Sequence, residues 1–379
     1  MVAIEELTTS SEIEDFVQFQ FSLFGDNPHW APPIISDELA NFDRENNPVF
    51  DHADARFFMA YKDGNPVGRV AAIINWTEVN EQEKSKIRFG WFDTVDDVEV
   101  SRALLAKVEK IGNEHDLEYM EGPLGFSNMD KAGMLVDGFD ERNTMITWYN
   151  LPYYSKHMEK MGFEVEKEWV EFEIQIPPEG PSDKIQRFSK LIKDKYDLQG
   201  INFSSKKELL AHADEMFDLI NKTYSDLSTY VPIKGDQIAY YKDKYFRYLH
   251  PDFITCVGDK DGNLVAFAIT MPSFSEALHK AQGSLFPFGW WHLLKARYFN
   301  DKASFYLIGV DPKFQNKGVT SIIFKEMNEM FNRRGITTVE TNPELVDNDD
   351  IQALWNNYEN RQHKRRQNIS QKYHIKEGR

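Results

Sequence analysis

The sequence predicts an α/β protein built from two related units in one chain, and three observations lead there. The chain has 379 residues, and at roughly 100 to 200 residues per domain that length predicts two or three domains. Its clearest break in composition, residues 177–183 (PPEGPSD), opposes both helix and ladder with three prolines and a glycine. On either side of the break lies a similar strand–turn–strand unit. Residues 57–74 read FFMAYKDGNPVGRVAAII and residues 253–270 read FITCVGDKDGNLVAFAIT, with the same Lys-Asp-Gly-Asn in both turns.

The elements follow in matching order. Helical patterning over residues 11–24 and again over 206–223 precedes each hairpin. The hairpins are placed by Asp63-Gly64 and Asp261-Gly262, because a tight turn needs positive φ at low steric cost. A further apolar strand comes next (88–92 and 304–310), then an amphipathic helix (98–112 and 319–334), then another strand (117–121 and 337–341). In the helices, Leu104, Leu105, Val108 and Ile111 and their counterparts Ile322, Ile323, Met327, Met330 and Phe331 recur three and four residues apart, the spacing of a stripe that faces a core.

Composition narrows the function classes. Hydrophobic residues make up 41% of the chain, enough for sizeable cores. Sixty-one acidic against 44 basic residues give a net charge of -17, which repels phosphate backbones and anionic lipid, so neither nucleic acid nor membrane is an expected partner unless a local basic patch supplies the contact. The lone Cys256 rules out an internal disulfide and a Cys-only zinc site, and no metal is expected. The acidic start lacks the basic and apolar regions of a signal peptide, which points to the cytoplasm.

The segment with chemistry in it is residues 306–324, YLIGVDPKFQNKGVTSIIF. It reads as a strand, a proline-bearing turn, a polar loop with one glycine, and a helix. At such a junction the unpaired N–H groups of the first helical turn and the positive end of the helix dipole favour a phosphate. Gly318 lets the backbone come close to it and Lys317 adds a charge.

Hairpin, strand, Q-x-x-G loop, helix and strand in this order resemble the GNAT superfamily of acyl-CoA-dependent N-acyltransferases, whose loop reads Q/R-x-x-G-x-G/A. Here the loop is Gln315-Asn316-Lys317-Gly318-Val319-Thr320, with Thr320 where the family has Gly or Ala. The resemblance implies two tandem GNAT-like domains, each a mixed, mostly antiparallel sheet flanked by helices. They span residues 1–176 and 185–379 across a linker at 177–184. It also implies that the loop amides hold the pyrophosphate of acetyl-CoA or another acyl-CoA, the co-substrate, and that backbone groups of Ile308 and Val310 hold the pantetheine arm. The family tends to place an Asn at the start of the next helix, where Asn348 fits, and a Tyr seven residues on as general acid. That later position is Trp355 here, and the nearest phenol is Tyr358. Glu340 is a general-base candidate by position, as are Glu344 and Asp347, with Asp311 a poorer one.

The first copy lacks this loop. Its strand-to-helix turn, residues 92–102, has no glycine and four carboxylates, Asp93, Asp96, Asp97 and Glu99, which repel a diphosphate; Asp96 or Asp97 is expected to cap the helix. Residues 121–154 form a long irregular segment, either an acceptor pocket with Asn128, Asp130 and Tyr149 as contacts or a surface loop packed by its own aromatics. In the second copy, residues 271–299 are an insertion with an aromatic run that walls a channel or covers the sheet. The basic end, residues 361–379, reads as a touch point for an anionic group or as a strand with a solvated face.

The expected function is acyl-CoA-dependent N-acylation of a small-molecule or peptide amine that attacks the thioester directly. The alternatives are a non-catalytic acyl-CoA-binding or regulatory tandem GNAT protein and, against the chain's acidity, an aminoacyl-tRNA-dependent transferase resembling the Fem enzymes.

Overall fold

The computed structural model describes residues 1–373 apart from 226–229, 247, 349–351 and 353. In chain order the elements are β1 (Val2–Leu7), α1 (Ser10–Phe24), α2 (Ile35–Leu39), β2 (Ala53–Lys62), β3 (Asn65–Asn75), α3 (Trp76–Asn80), β4 (Lys86–Thr94), α4 (Val98–Glu114), β5 (Tyr119–Gly122), β6 (Met134–Asp137), α5 (Tyr153–Met161) and β7 (Glu164–Gln175). They continue as α6 (Asp183–Tyr196), β8 (Gln199–Ile201), α7 (Lys206–Ala211), α8 (Ala213–Tyr224), α9 (Asp236–Phe246), β9 (Ile254–Gly258), β10 (Leu264–Pro272), α10 (Ser275–Ala281), α11 (Gly289–Tyr298), β11 (Lys302–Val310), α12 (Thr320–Arg334), β12 (Thr338–Glu340), β13 (Glu344–Leu345) and β14 (Asn360–Lys372).

These elements sort into two compact units that are not the two continuous halves marked by the proline-rich break. The first comprises Met1–Val170, Phe274–Leu293 and the end of the chain from His363; the second comprises Glu171–Ser273 and residues 294–362. The physical reason is strand exchange. In the first unit β5 takes β14, from the far end of the sequence, as its antiparallel neighbour, with Ile369 opposite Gly122 and Lys372 opposite Tyr119. In the second unit β12 takes the end of β7, with Thr338 opposite Gln175 and Glu340 opposite Glu173.

Each unit is a mostly antiparallel sheet with one parallel pair, flanked by helices. In the first, β1, β2, β3 and β4 run antiparallel in turn and β4 pairs in parallel with β5. In the second, β8, β9, β10 and β11 run antiparallel and β11 pairs in parallel with β12. The alternation of side chains along a strand sets the cores. On β3, Val70, Ala72 and Ile74 pack with Leu104, Leu105 and Val108 of α4, while Ala71 and Ile73 face the other way with Phe16 and Val17 of α1. Burial on both faces is why residues 70–74 are an unbroken apolar run. In the second unit Val265, Ala266 and Ala268 pack with Ile322, Ile323, Met327 and Phe331 of α12.

Both parallel pairs are short and then splay. β4 and β5 pair only from Lys86–Tyr119 to Arg88–Glu121, and β11 and β12 only from Lys302–Thr338 to Ser304–Glu340. Just beyond, each longer strand is irregular. The β3–β4 register shifts between Arg69 and Ala71, with Trp91 at φ 45°, and the β10–β11 register shifts so that Tyr306 has no opposite residue. No helix among the described residues is long and apolar enough to cross a membrane.

Candidate acyl-donor site

In the second unit the splayed edge of β11 leads into the Q-x-x-G loop. Asp311 N donates to Val265 O, so Ile308 and Val310, opposite Ala268 and Ala266, turn their N–H and C=O groups away from β10 toward the edge that β12 has left. The two carbonyls are taken from within the unit. Tyr224 Oη donates to Ile308 O at 2.7 Å, and Thr223 Oγ1 and Gln315 Nε2 both donate to Val310 O at 3.2 Å. Sequence reading missed Thr223 and Tyr224, since nothing in their local pattern marks which strand the end of α8 meets.

The loop itself is held by few bonds. Phe314 N and Gln315 N donate to Asp311 O, and Lys317 N to Phe314 O. Among the described residues, no acceptor meets the amides of Asn316, Gly318, Val319 and Thr320. Asn316 (φ 57°) and Gly318 (φ 78°) are left-handed, and right-handed Val319 follows Gly318. Such alternation turns successive N–H groups toward a common point, a concavity suited to an anion. The positive φ of Gly318 favours glycine, and a Cβ there would lie 2.7 Å from Phe188 Cε1 of α6, so that ring would have to shift. Lys317 Nζ sits 5.6 Å from the Tyr196 ring centroid and 5.4 Å from that of Phe314, which holds the charge beside the loop. These residues fit a diphosphate ester. Gln315, by contrast, turns its side chain back onto β11.

The acid–base candidates lie on and after β12: Glu340 is the last residue of its pairing with β11, and Glu344 is on β13, which pairs with β7. Asn342 Nδ2 donates to the carbonyl of the unpaired Tyr306. Two residues on, Glu344 accepts from Trp355 Nε1 with both carboxylate oxygens, at 3.1 and 3.0 Å. Burial pushes its carboxyl up to about 7, although the indole bond opposes the shift. Trp355 is buried, with ring centroids 5.3 Å from both Phe305 of β11 and Phe324 of α12. It occupies the place the resemblance gives to a general-acid Tyr, has no transferable proton, and instead orients a carboxyl. Glu340 lies on β12 opposite Glu173. Tyr358 packs 6.5 Å from the Phe324 ring, and burial pushes its phenol up. Asn348 N donates to Leu345 O, and Asn348 O accepts from Gln352 N.

No family model matches the sequence. Among curated proteins, Protein YghO of Escherichia coli (strain K12) is 25% identical over 343 residues, which covers 89% of this chain and 87% of that protein. The bacterial ceramide synthase of Caulobacter vibrioides is 23% identical over 321 residues, 83% and 82% of the two chains. Among solved structures, a tandem GNAT protein from the clavulanic acid biosynthesis pathway matches over 98% of both chains, with a TM-score of 0.56 at 11% identity. The whole chain has a tandem GNAT fold. A GCN5-related N-acetyltransferase from Sphaerobacter thermophilus is also similar, over 98% of this chain and 95% of that one, with a TM-score of 0.50 at 10% identity.

In this tandem GNAT fold the corresponding station of the first unit is filled. Leu124 N donates to Phe89 O at 2.8 Å, and Leu124 O lies 2.3 Å from where a Gly90 Cβ would be, so the chain's own backbone occupies the edge that β5 has left. At the turn, Tyr154 Oη accepts from Thr94 N (3.0 Å) and Tyr153 Oη donates to Thr94 O (2.6 Å). The four carboxylates all have partners. Asp93 pairs with buried Arg69 at 2.6 Å; Asp96 meets His157 Nε2 at 3.0 Å; Asp97 caps α4 through Glu99 N and pairs with Lys62; Glu99 lies 3.6 Å from Arg102. Ser101, His157 and Asp96 line up like a hydrolytic triad, but Ser101 is fully buried and the three tie α5 to α4.

Of the three residues expected at an acceptor pocket in the first copy, one belongs to a core. Tyr149 is core, not pocket wall: it is buried, donates to Phe139 O at 2.7 Å and accepts from Asn27 Nδ2 at 3.1 Å. Asp130 folds back on its own loop by accepting from Ser127 N at 3.0 Å, and Asn128 lies exposed beside it. The basic end is not a solvated face either. Lys364 and Arg366 are buried on β14, and Arg366 Nη1 donates to Trp148 O at 2.6 Å. Lys376 and Arg379 lie outside the described residues.

Proposed function

We propose that the protein is an acyl-CoA-dependent N-acyltransferase whose second unit carries the chemistry. The observation that carries this is the continuity of one edge: backbone groups of Ile308 and Val310 turned out from β11, followed by four loop amides without an acceptor and a lysine beside them. Along that edge the arm and diphosphate of an acyl-CoA co-substrate have backbone donors at both ends.

In the reaction, an amine nitrogen attacks the thioester carbonyl, the C–N bond forms, the C–S bond breaks, and the amine's proton leaves for a base. Glu344 is suited to that role, being a carboxyl held near 7 and fixed by Trp355. It then returns the proton to the departing thiolate, with Tyr358 a second donor and Glu340 a second base. The name of the Caulobacter relative bears on the acceptor. A ceramide is the amide of a long-chain amino alcohol, so long-chain amines join small-molecule and peptide amines in the acceptor class.

Calorimetric titration with acetyl-CoA and longer acyl-CoAs, followed by transfer assays on an amine panel, tests the reading. Gly318→Val is expected to weaken acyl-CoA binding at least about tenfold while leaving the fold intact. Absence of binding at any chain length would overturn the proposal. Binding without turnover would favour a non-catalytic acyl-CoA-binding protein, a reading supported by Trp355 in place of a proton-donating tyrosine and by Thr320 in the loop.

A further inference from the structure

Residues 285–299 do not cover the sheet. Among the described residues, seven of the twelve exposed large apolar side chains fall in this one stretch: Phe286, Phe288, Trp290, Trp291, Leu294, Tyr298 and Phe299, the first and last at 79% exposure. Single exposed apolar residues need no explanation, but a run of this kind marks a surface made for a partner.

The base of the stretch is packed, while its apolar side chains face solvent. Before it, α10 buries Ala277, Leu278 and Ala281, Gly283 O accepts from Ile35 N, and His279 Nδ1 lies 2.9 Å from Trp30 O. Gly289 opens α11 with no room for a side chain, since a Cβ would lie 1.9 Å from Ser284 O. Along α11, Trp290, Leu294 and Tyr298 recur every fourth residue and so share one face, with Trp291 beside them. Arg297 Nη2 donates to Leu249 O, which fastens the other end.

Charge decides which partner. The chain has 61 acidic residues, yet none occurs from Ala277 to Asn300, a stretch that carries Lys280, paired with Glu276 just before it, and Lys295 and Arg297, with Lys295 exposed. Trp, Phe and Tyr beside cationic side chains, on a helix too short to span, are the composition of an element that lies in the headgroup region of a bilayer. We infer that residues 285–299 are an interfacial anchor that seats this protein on an anionic lipid surface. The expected exclusion of membranes by a net charge of -17 is thereby met by a local exception, the acid-free stretch.

The test is flotation of the full-length protein with vesicles of phosphatidylcholine containing about one third phosphatidylglycerol, which supplies the negative surface potential. Wild-type protein is expected to float, with quenching of its tryptophan fluorescence by brominated lipid. Trp290→Ser with Trp291→Ser is expected to lower partitioning at least about tenfold, from the lost apolar burial, with circular dichroism unchanged. Lys295→Glu is expected to weaken binding to the anionic vesicles and not to pure phosphatidylcholine. Failure of the wild type to float, equal flotation of the double variant, or a dimer in sedimentation that the double variant dissolves would each overturn the inference. None of these readouts depends on acyl transfer.

Discussion

The two strand-to-helix turns, after β4 and after β11, are the same place in two copies of one fold, and they are built from opposite chemistry. After β11 the loop leaves four amides without an acceptor and keeps a lysine beside them. After β4 the equivalent groups are consumed: Tyr153 and Tyr154 take the backbone of Thr94, Leu124 takes Phe89 O, and Arg69 neutralises Asp93. Groups bonded within the chain are closed to a ligand, whereas the amides of the largely exposed loop stay available to one. On the proposed function, this difference separates scaffold from site more sharply than the loss of a single glycine does.

The largest expected effect is on the second copy. Glu344→Gln should lower kcat by roughly two to four orders of magnitude, the usual worth of a positioned base, with the acyl-CoA Kd unchanged. The wild-type rate should rise with pH along a limb centred near 7, where the carboxyl loses its proton, and that limb should vanish in the variant. The sign for stability is the reverse. Because burial raises this carboxyl above its ordinary 4.5, the protonated form favours folding; that contribution is complete below 4.5 and is lost as pH rises through about 7. Glu344→Gln should thus raise the Tm at pH 8 and leave it unchanged at pH 4.5. A flat pH–rate profile in the wild type would remove Glu344 from the mechanism.

On the first copy, Arg69→Ala leaves Asp93 buried without its counter-charge and should cost about 3–5 kcal/mol, measured by urea unfolding. Acyl-CoA affinity of the folded protein should not change. An affinity loss would mean that the first copy takes part in donor binding and would erase the contrast. The smallest effect is expected from Tyr224→Phe, which releases Ile308 O and should cost about 0.5–1.5 kcal/mol of stability. If acyl-CoA affinity then rises, that carbonyl is one the arm can use.

Another first-copy cluster shows how packing sets charge. Glu78 is fully buried, a condition that penalises its ionised form, yet Arg88 at 2.6 Å and Lys86 at 3.0 Å outweigh burial and hold its carboxyl at about 2. Lys86 also reaches Glu121, which Asn368 of β14 contacts from the other end of the sequence. These residues look like ordinary surface charges in the sequence. Their burial depends on a strand some 250 positions away, beyond the reach of any local pattern.

The repeated Lys-Asp-Gly-Asn makes the same point. In the first copy Lys62 pairs with Asn65 across a two-residue turn, with Asp63 and Gly64 both left-handed. In the second the identical four residues sit in a longer loop. There Asp259 Oδ1 accepts from Asp261 N and Asn263 N, and only Gly262 is left-handed. The tetrapeptide revealed the duplication, while its neighbour Asp259 chose the turn.

The sequence alone determined the duplication, the order of elements, the core faces of α4 and α12 and the place of the open loop. These are written in local periodicity and turn chemistry, whose effects act over a few residues. Only the tertiary structure decided that the units exchange strands β7 and β14, that burial raises the Glu344 carboxyl, that Tyr149 and Arg366 belong to cores, and that the aromatic stretch at 285–299 faces outward. Each of these depends on what lies opposite a side chain in space, and burial, which sets both charge state and exposure, is a property of the packed chain.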